Sequence, residues 1–110
     1  MSRFVALYRM PDDPDQLTQF EREYRETHLP LVAKTPGLTR IEASKVRKMV
    51  YGKPALHLVA VMYFDDAEAM KAGLASEEWA ASGRNLAEIG GLDLSTMFIL
   101  DEPEVQEIHA

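Results

Sequence analysis

The run Ala55-Leu-His-Leu-Val-Ala-Val-Met-Tyr-Phe64 limits the fold more than any other stretch. Side chains of a β-strand alternate between two faces. One set here, Leu56, Leu58, Ala60, Met62 and Phe64, is wholly apolar. The other, His57, Val59, Val61 and Tyr63, is apolar through its middle. A strand that is apolar on both sides belongs in the centre of a sheet, and both faces of that sheet then need a cover.

The flanking segments supply the partners. Phe4 to Tyr8 is a second short run of β-formers. Asp13-Pro14-Asp15-Gln16 then opens a helix, with Asp13 as N-cap, Pro14 as first helical residue and Gln16 closing a capping box. Leu17, Phe20, Tyr24 and His28 recur at helical spacing and mark its inner face. Pro30 disfavours helical geometry at Leu29, so the helix is expected to end or kink near His28. Leu31 to Ala33 then make one last turn before Pro36-Gly37. Leu38 to Val46 reads as a strand whose charges, Arg40, Glu42 and Lys45, suit an edge. Arg47 to Pro54 is the hairpin connection.

After the central strand, Asp65-Asp66-Ala67-Glu68 is a second capping box. Met70 and Leu74 follow, and Ser76-Glu77-Glu78 restarts the helix for Trp79, Leu86 and Ile89. Gly73 is placed to let the two helical pieces meet at an angle, and Gly90-Gly91 ends the second. Ser95 to Leu100 is the last strand. The acidic tail from Asp101, with Pro103, is expected to be mobile unless docked.

The order β-α-β-β-α-β, with right-handed crossovers, gives an α+β ferredoxin-like sandwich. Its four-stranded antiparallel sheet carries both helices on one face, with the first and third strands central. We expect residues 1–101 to form one domain and 102–110 a tail. Two helices cover one face only, and the other would expose a large apolar patch. The expected cover is a second copy related by a two-fold axis, a dimeric α+β barrel with a pocket between sheet and first helix.

Composition removes several functions. The formal net charge of −6 disfavours nucleic acid. The chain has no cysteine, so thiol nucleophiles, thiolate metal sites and disulfides are out. No apolar run approaches membrane-spanning length, and the N-terminal run is too short for a signal peptide. A soluble cytoplasmic protein is the resulting expectation. No HxH or HExxH spacing supports a metal, no P-loop, GxGxxG or GxSxG is present, and the second helix has no histidine for haem. No cofactor is expected.

Phe20-x3-Tyr24-x3-His28-x-Pro30-Leu31-Val32, followed by Pro36-Gly37-Leu38, resembles the EthD family of small dimeric α+β barrel proteins. The ending Tyr63-Phe64-Asp65-Asp66 and the later Ser76-x2-Trp79 fit the same pattern, so the resemblance covers about residues 3–100. The family takes its name from ethyl tert-butyl ether degradation. The resemblance implies the fold, the dimer and a functional histidine at His28, because the related methylmuconolactone isomerases use that position in proton transfer. They also use cysteines, which this chain lacks.

His28 is thus the candidate general acid/base. Near a helix C-terminus the dipole favours its protonated form and keeps its pKa near neutral. The plain alternative is a capping histidine bonded to a free carbonyl. His57 and Tyr63 share the face assigned to the cavity and are candidates to polarise a substrate oxygen, against simple interface packing. Tyr24, one turn before His28, either lines the pocket or is a core tyrosine. Tyr8 and Trp79 complete the candidate binding set, Trp79 having packing against the sheet as its alternative. His109, in the tail, is read as inert. These residues suit a cofactor-independent isomerase or lyase acting on a small cyclic or aromatic intermediate. A cofactor-free monooxygenase of quinol-like substrates and a non-catalytic ligand-binding dimer remain the rivals.

Overall fold

Asp13 caps the first helix as its position suggests, its Oδ1 accepting from the Asp15 amide at 2.9 Å. The protein is described here by a computed structural model covering residues 1–109. Strand β1 (Ser2–Arg9) leads into α1 (Pro14–Glu23), a π-helical turn (Tyr24–His28) and α2 (Leu29–Val32). β2 (Leu38–Lys45) and β3 (Leu56–Phe64) form a hairpin. α3 (Ala67–Leu74), α4 (Glu77–Glu88), a 3-10 turn (Leu92–Leu94) and β4 (Ser95–Leu100) complete the chain. The sheet is antiparallel with order β2-β3-β1-β4, so β1 and β3 are central and the expected ferredoxin-like α+β sandwich is present.

Leu58, Ala60, Met62 and Phe64 of β3, with Ala6 and Tyr8 of β1, are buried under the helices beside Phe20, Met70 and Leu86. The body is only 19 Å thick, which is two layers. Val5, Leu7, Val59, Val61, Phe98 and Leu100 lie on the opposite face by register, where Val5 is hidden among its strand neighbours and the others remain partly exposed. Gly73 has a packing role beyond the angle between α3 and α4. A Cβ there would stand 2.7 Å from the Phe64 ring and from the Pro36 carbonyl.

Three details depart from the sequence reading. The helix neither stops nor breaks at His28. Leu29 stays right-handed helical, and the chain continues to Val32. Pro30 has no N–H, and the ladder adapts through a π turn in which the Leu29 amide bonds the Tyr24 carbonyl. The second helix is capped by Asp66, whose Oδ1 accepts from the Ala69 amide at 2.8 Å, one residue later than expected. Tyr8 pairs with Leu58 but Arg9 pairs with Leu56, which leaves His57 as a bulge in β3. The bulge reverses the alternation at its end. Leu56 leaves the covered set, and His57 turns to the helix side.

Candidate active site between sheet and helices

The π turn sets the site. It places His28 directly beyond Tyr24 on the buried side, with ring centroids 5.1 Å apart. Tyr24 in turn meets Tyr8 at 5.3 Å and Phe20 at 5.4 Å. Phe4 and Trp79 pack edge to face at 5.0 Å. Of these groups all but Phe20 surround a cavity of about 110 Å³ between the sheet and the helices, lined also by Ile41, Met62, Leu86 and Met97. Tyr8, Tyr24, His28 and Trp79, four of the residues singled out from sequence, therefore share one space. None of the cavity's lining residues is Asp, Glu, Lys or Arg.

His28 is 4% exposed. Its Nδ1 lies 3.2 Å from Oδ1 of Asn85 on α4. An amide oxygen can only accept, so Nδ1 carries the proton and Nε2 keeps its lone pair. Among the described residues Nε2 has no hydrogen-bond partner. Burial pulls the imidazole pKa below its ordinary value, opposed in part by the Asn85 bond. The helix-dipole expectation of a near-neutral value gives way here, because His28 is inside a continuing helix and desolvation wins. Burial raises both phenols. Tyr24 is pushed up to about 12, and Tyr8 rises further with Tyr24 beside it. At neutral pH the cavity thus holds an uncharged base and two protonated phenols.

Asn85 is the site residue that sequence spacing did not reveal. Its only signal was a carboxamide next to the Trp79, Ser82, Leu86 stripe of α4. Ser82 lines the cavity too, but its hydroxyl donates to the Trp79 carbonyl at 2.7 Å.

His57 and Tyr63 do not join this site, nor each other. The bulge carries His57 into a separate hollow of about 140 Å³ beneath α1, with Tyr24 as the shared wall. There Nε2 of His57 lies 2.8 Å from Glu21 Oε1, off the direction of a good hydrogen bond, and Lys45 reaches the other oxygen at 3.4 Å. Tyr63 lies on the uncovered face and donates to Glu42 Oε1 at 2.7 Å. That bond raises the Tyr63 pKa and lowers that of Glu42. Among the described residues no group of three His, Asp or Glu side chains is placed to hold an ion. Among the described residues no helix is long and apolar enough to cross a membrane.

The pattern of the EthD domain matches residues 14–88. The crystal structure of an EthD family protein from Bacillus halodurans superposes with a TM-score of 0.82 at 30% identity, covering 94% of this chain and 99% of that one. A dimeric protein of ferredoxin-like fold from Bacteroides fragilis gives a TM-score of 0.63 at 18% identity, covering 90% and 91%. SnoaB, a cofactor-independent oxygenase from Streptomyces nogalater, gives 0.61 at 18% identity, covering 94% of each chain. Among curated proteins none matches this chain.

Proposed function

This chain belongs to the EthD domain family, and on that premise we propose that it is a cofactor-independent enzyme in which His28 removes a proton from a small, neutral cyclic or aromatic compound. The observation that carries the reading is the Asn85 contact, which commits Nδ1 and leaves Nε2 as a base beside an apolar cavity. A base of lowered pKa is unprotonated at pH 7, as general-base catalysis requires. The phenols of Tyr8 and Tyr24 are donors for the enolate or phenolate that forms, because both stay protonated. The free space is below the ~300–1,000 Å³ of drug-sized ligand pockets, which favours a one-ring substrate. Reprotonation of the anion at another atom gives an isomer, whereas expulsion of a leaving group such as water from the adjacent carbon gives lyase chemistry.

A second reading shares the first step. In a cofactor-free oxygenase of a quinol-like substrate, the anion made by His28 would react with dioxygen. The likeness to SnoaB supports keeping it. Oxygen uptake on turnover separates the two readings. A third, carriage without turnover, is supported if a metabolite bound tightly is recovered unchanged.

The functional unit we propose is residues 1–101, paired with a second copy through the uncovered sheet face, in a reducing cytoplasm that suits a chain without cysteine. Light scattering at micromolar concentration tests the pair, and a monomer there sinks it. For the chemistry, the test is His28→Ala. Loss of turnover on an identified substrate, with the fold retained, is expected; full activity would remove His28 from the mechanism.

A further inference from the structure

Two segments of this chain project apolar side chains into solvent and hide them on nothing of their own. One is the connection between β2 and β3, where Val50 is 94% exposed and Tyr51 95%. The other is the tail after β4, where Val105 is 74% exposed and Ile108 91%. Their charges are opposite. The connection carries Arg47, Lys48 and Lys53 and no acid. The tail carries Glu102, Glu104 and Glu107 and no lysine or arginine.

We propose that these are two halves of one contact: the tail of one chain lies against the hairpin arm of a second copy. The proposal rests on the paired-sheet reading given above. At the root of the arm is a hollow of about 400 Å³ whose lining includes Leu7, Met49 and Tyr51 with the cations Arg9 and Lys53. Asp93 is the acid on its rim. An apolar floor with basic edges matches an extended acidic segment in which Val105 and Ile108, three residues apart, share one side at three-residue, polyproline-II spacing and seat on the floor, while Glu104 and Glu107 share another side and meet the cations.

The tail's own chain is poorly placed to receive it. Leu100 pairs with Arg3, whereas the hollow is at the Arg9 end of β1. The six residues of β4 separate the two ends by roughly 20 Å at ~3.3 Å per residue. The start of the tail is pinned facing away. Arg3 donates to the Asp101 carbonyl at 2.9 Å, and the terminal ammonium meets Glu102 at 3.1 Å. A two-fold axis running across the strands instead sets the tail end of one chain over the hairpin end of the other. The tail then becomes a strap that ties the two copies.

The absence of native cysteine makes the test clean. Chains carrying Val50→Cys are mixed with chains carrying Val105→Cys or Ile108→Cys, diluted to allow exchange, and oxidised. The expected product is a covalent pair of one arm variant and one tail variant, well above the like-with-like pairs. The variant with cysteines at 50 and 108 should give covalent dimer rather than a closed monomer. A closed monomer, or no cross-link above the like-with-like background, overturns the proposal. Light scattering on the unmodified chain separates the two ideas: a dimer without arm-to-tail cross-links overturns the strap alone, and a monomer overturns the paired sheet with it. In the same assay, Glu104→Lys with Glu107→Lys should weaken the dimer at least tenfold at low salt. Adding Lys48→Glu with Lys53→Glu should recover most of that loss, and no recovery also counts against the strap.

Discussion

Oδ1 of Asn85 stands 3.2 Å from Nδ1 of His28, a contact that joins the π turn to α4 across the buried side of the molecule. It makes the tautomer of the imidazole a property of the fold. Asn85→Ala removes the acceptor and lets the proton sit on either nitrogen. Turnover should fall by about tenfold to a hundredfold, less than the ~10²–10⁴-fold attributed to a general base itself. Nitrogen-15 NMR of His28 checks the cause directly. The unmodified protein should show protonated Nδ1 at pH 7, and the variant a mixture.

The pH dependence follows from the same residue. The folded pKa of His28 is below that of the unfolded chain, about 6.5. Protonation therefore favours unfolding. The stability contributed by neutral His28 is fully present above about pH 6.5 and is lost as pH falls toward the folded value. Urea midpoints should decline through that window, and the decline should be shallower in His28→Gln. The acid limb of activity should likewise lie below pH 6.5. A stability profile that rises on acidification would contradict the buried, neutral imidazole.

His57 should behave as a structural residue. It sits on the far side of Tyr24 from the cavity, against Glu21. His57→Leu removes a buried polar group whose partner geometry is poor, so stability should change by no more than ~1 kcal/mol, in either direction. KM and kcat should stay within about twofold of the unmodified values, since no cavity contact is lost. A large fall in kcat would bring His57 back into the chemistry.

Gly73 offers a purely steric test. An added Cβ would stand 2.7 Å from Phe64 and from the Pro36 carbonyl, the latter a backbone atom that cannot swing aside. Gly73→Ala should destabilise by ~1–3 kcal/mol, as overpacking does. Thermal denaturation reads this as a lower Tm.

The fold was legible because its signals are local and agree with one another. Asp13, Ser76 and the alternation from Leu58 to Phe64 each name an element without help from the rest. The site was half legible for the same reason. Tyr24 and His28 share a helical face, and the covered face of β1 holds Tyr8 by simple alternation with Ala6. What escaped depended on atoms far apart in sequence. His57 was misplaced because strict alternation assumes no bulge, and the bulge is visible only in the pairing of β3 with β1. Asn85 is 57 residues from His28, and no spacing rule links them. Pro30 marked an end or kink of the helix, yet burying Val32 and the Tyr24, His28 side keeps the helix going through a π turn.

The two phenols allow the cavity's acid chemistry to be tested apart from its base. Tyr8 and Tyr24 are both buried, and their pKa values are raised first of all by burial. A phenol raised above its unfolded value of ~10 adds stability that is intact below pH 10 and disappears as pH rises through the folded value, about 12 for Tyr24. Alkaline unfolding should therefore set in between pH 10 and 12, and Tyr24→Phe should flatten it. Near neutrality the same variant keeps the ring packing against Tyr8 and His28, so its stability should change by no more than ~1 kcal/mol. Its rate is the discriminating quantity. If the Tyr24 hydroxyl stabilises the anion made by His28, kcat should fall by about tenfold or more with KM little changed. A variant that loses the alkaline transition but retains full kcat would make Tyr24 part of the wall and leave Tyr8 as the donor, which Tyr8→Phe then tests in the same assay.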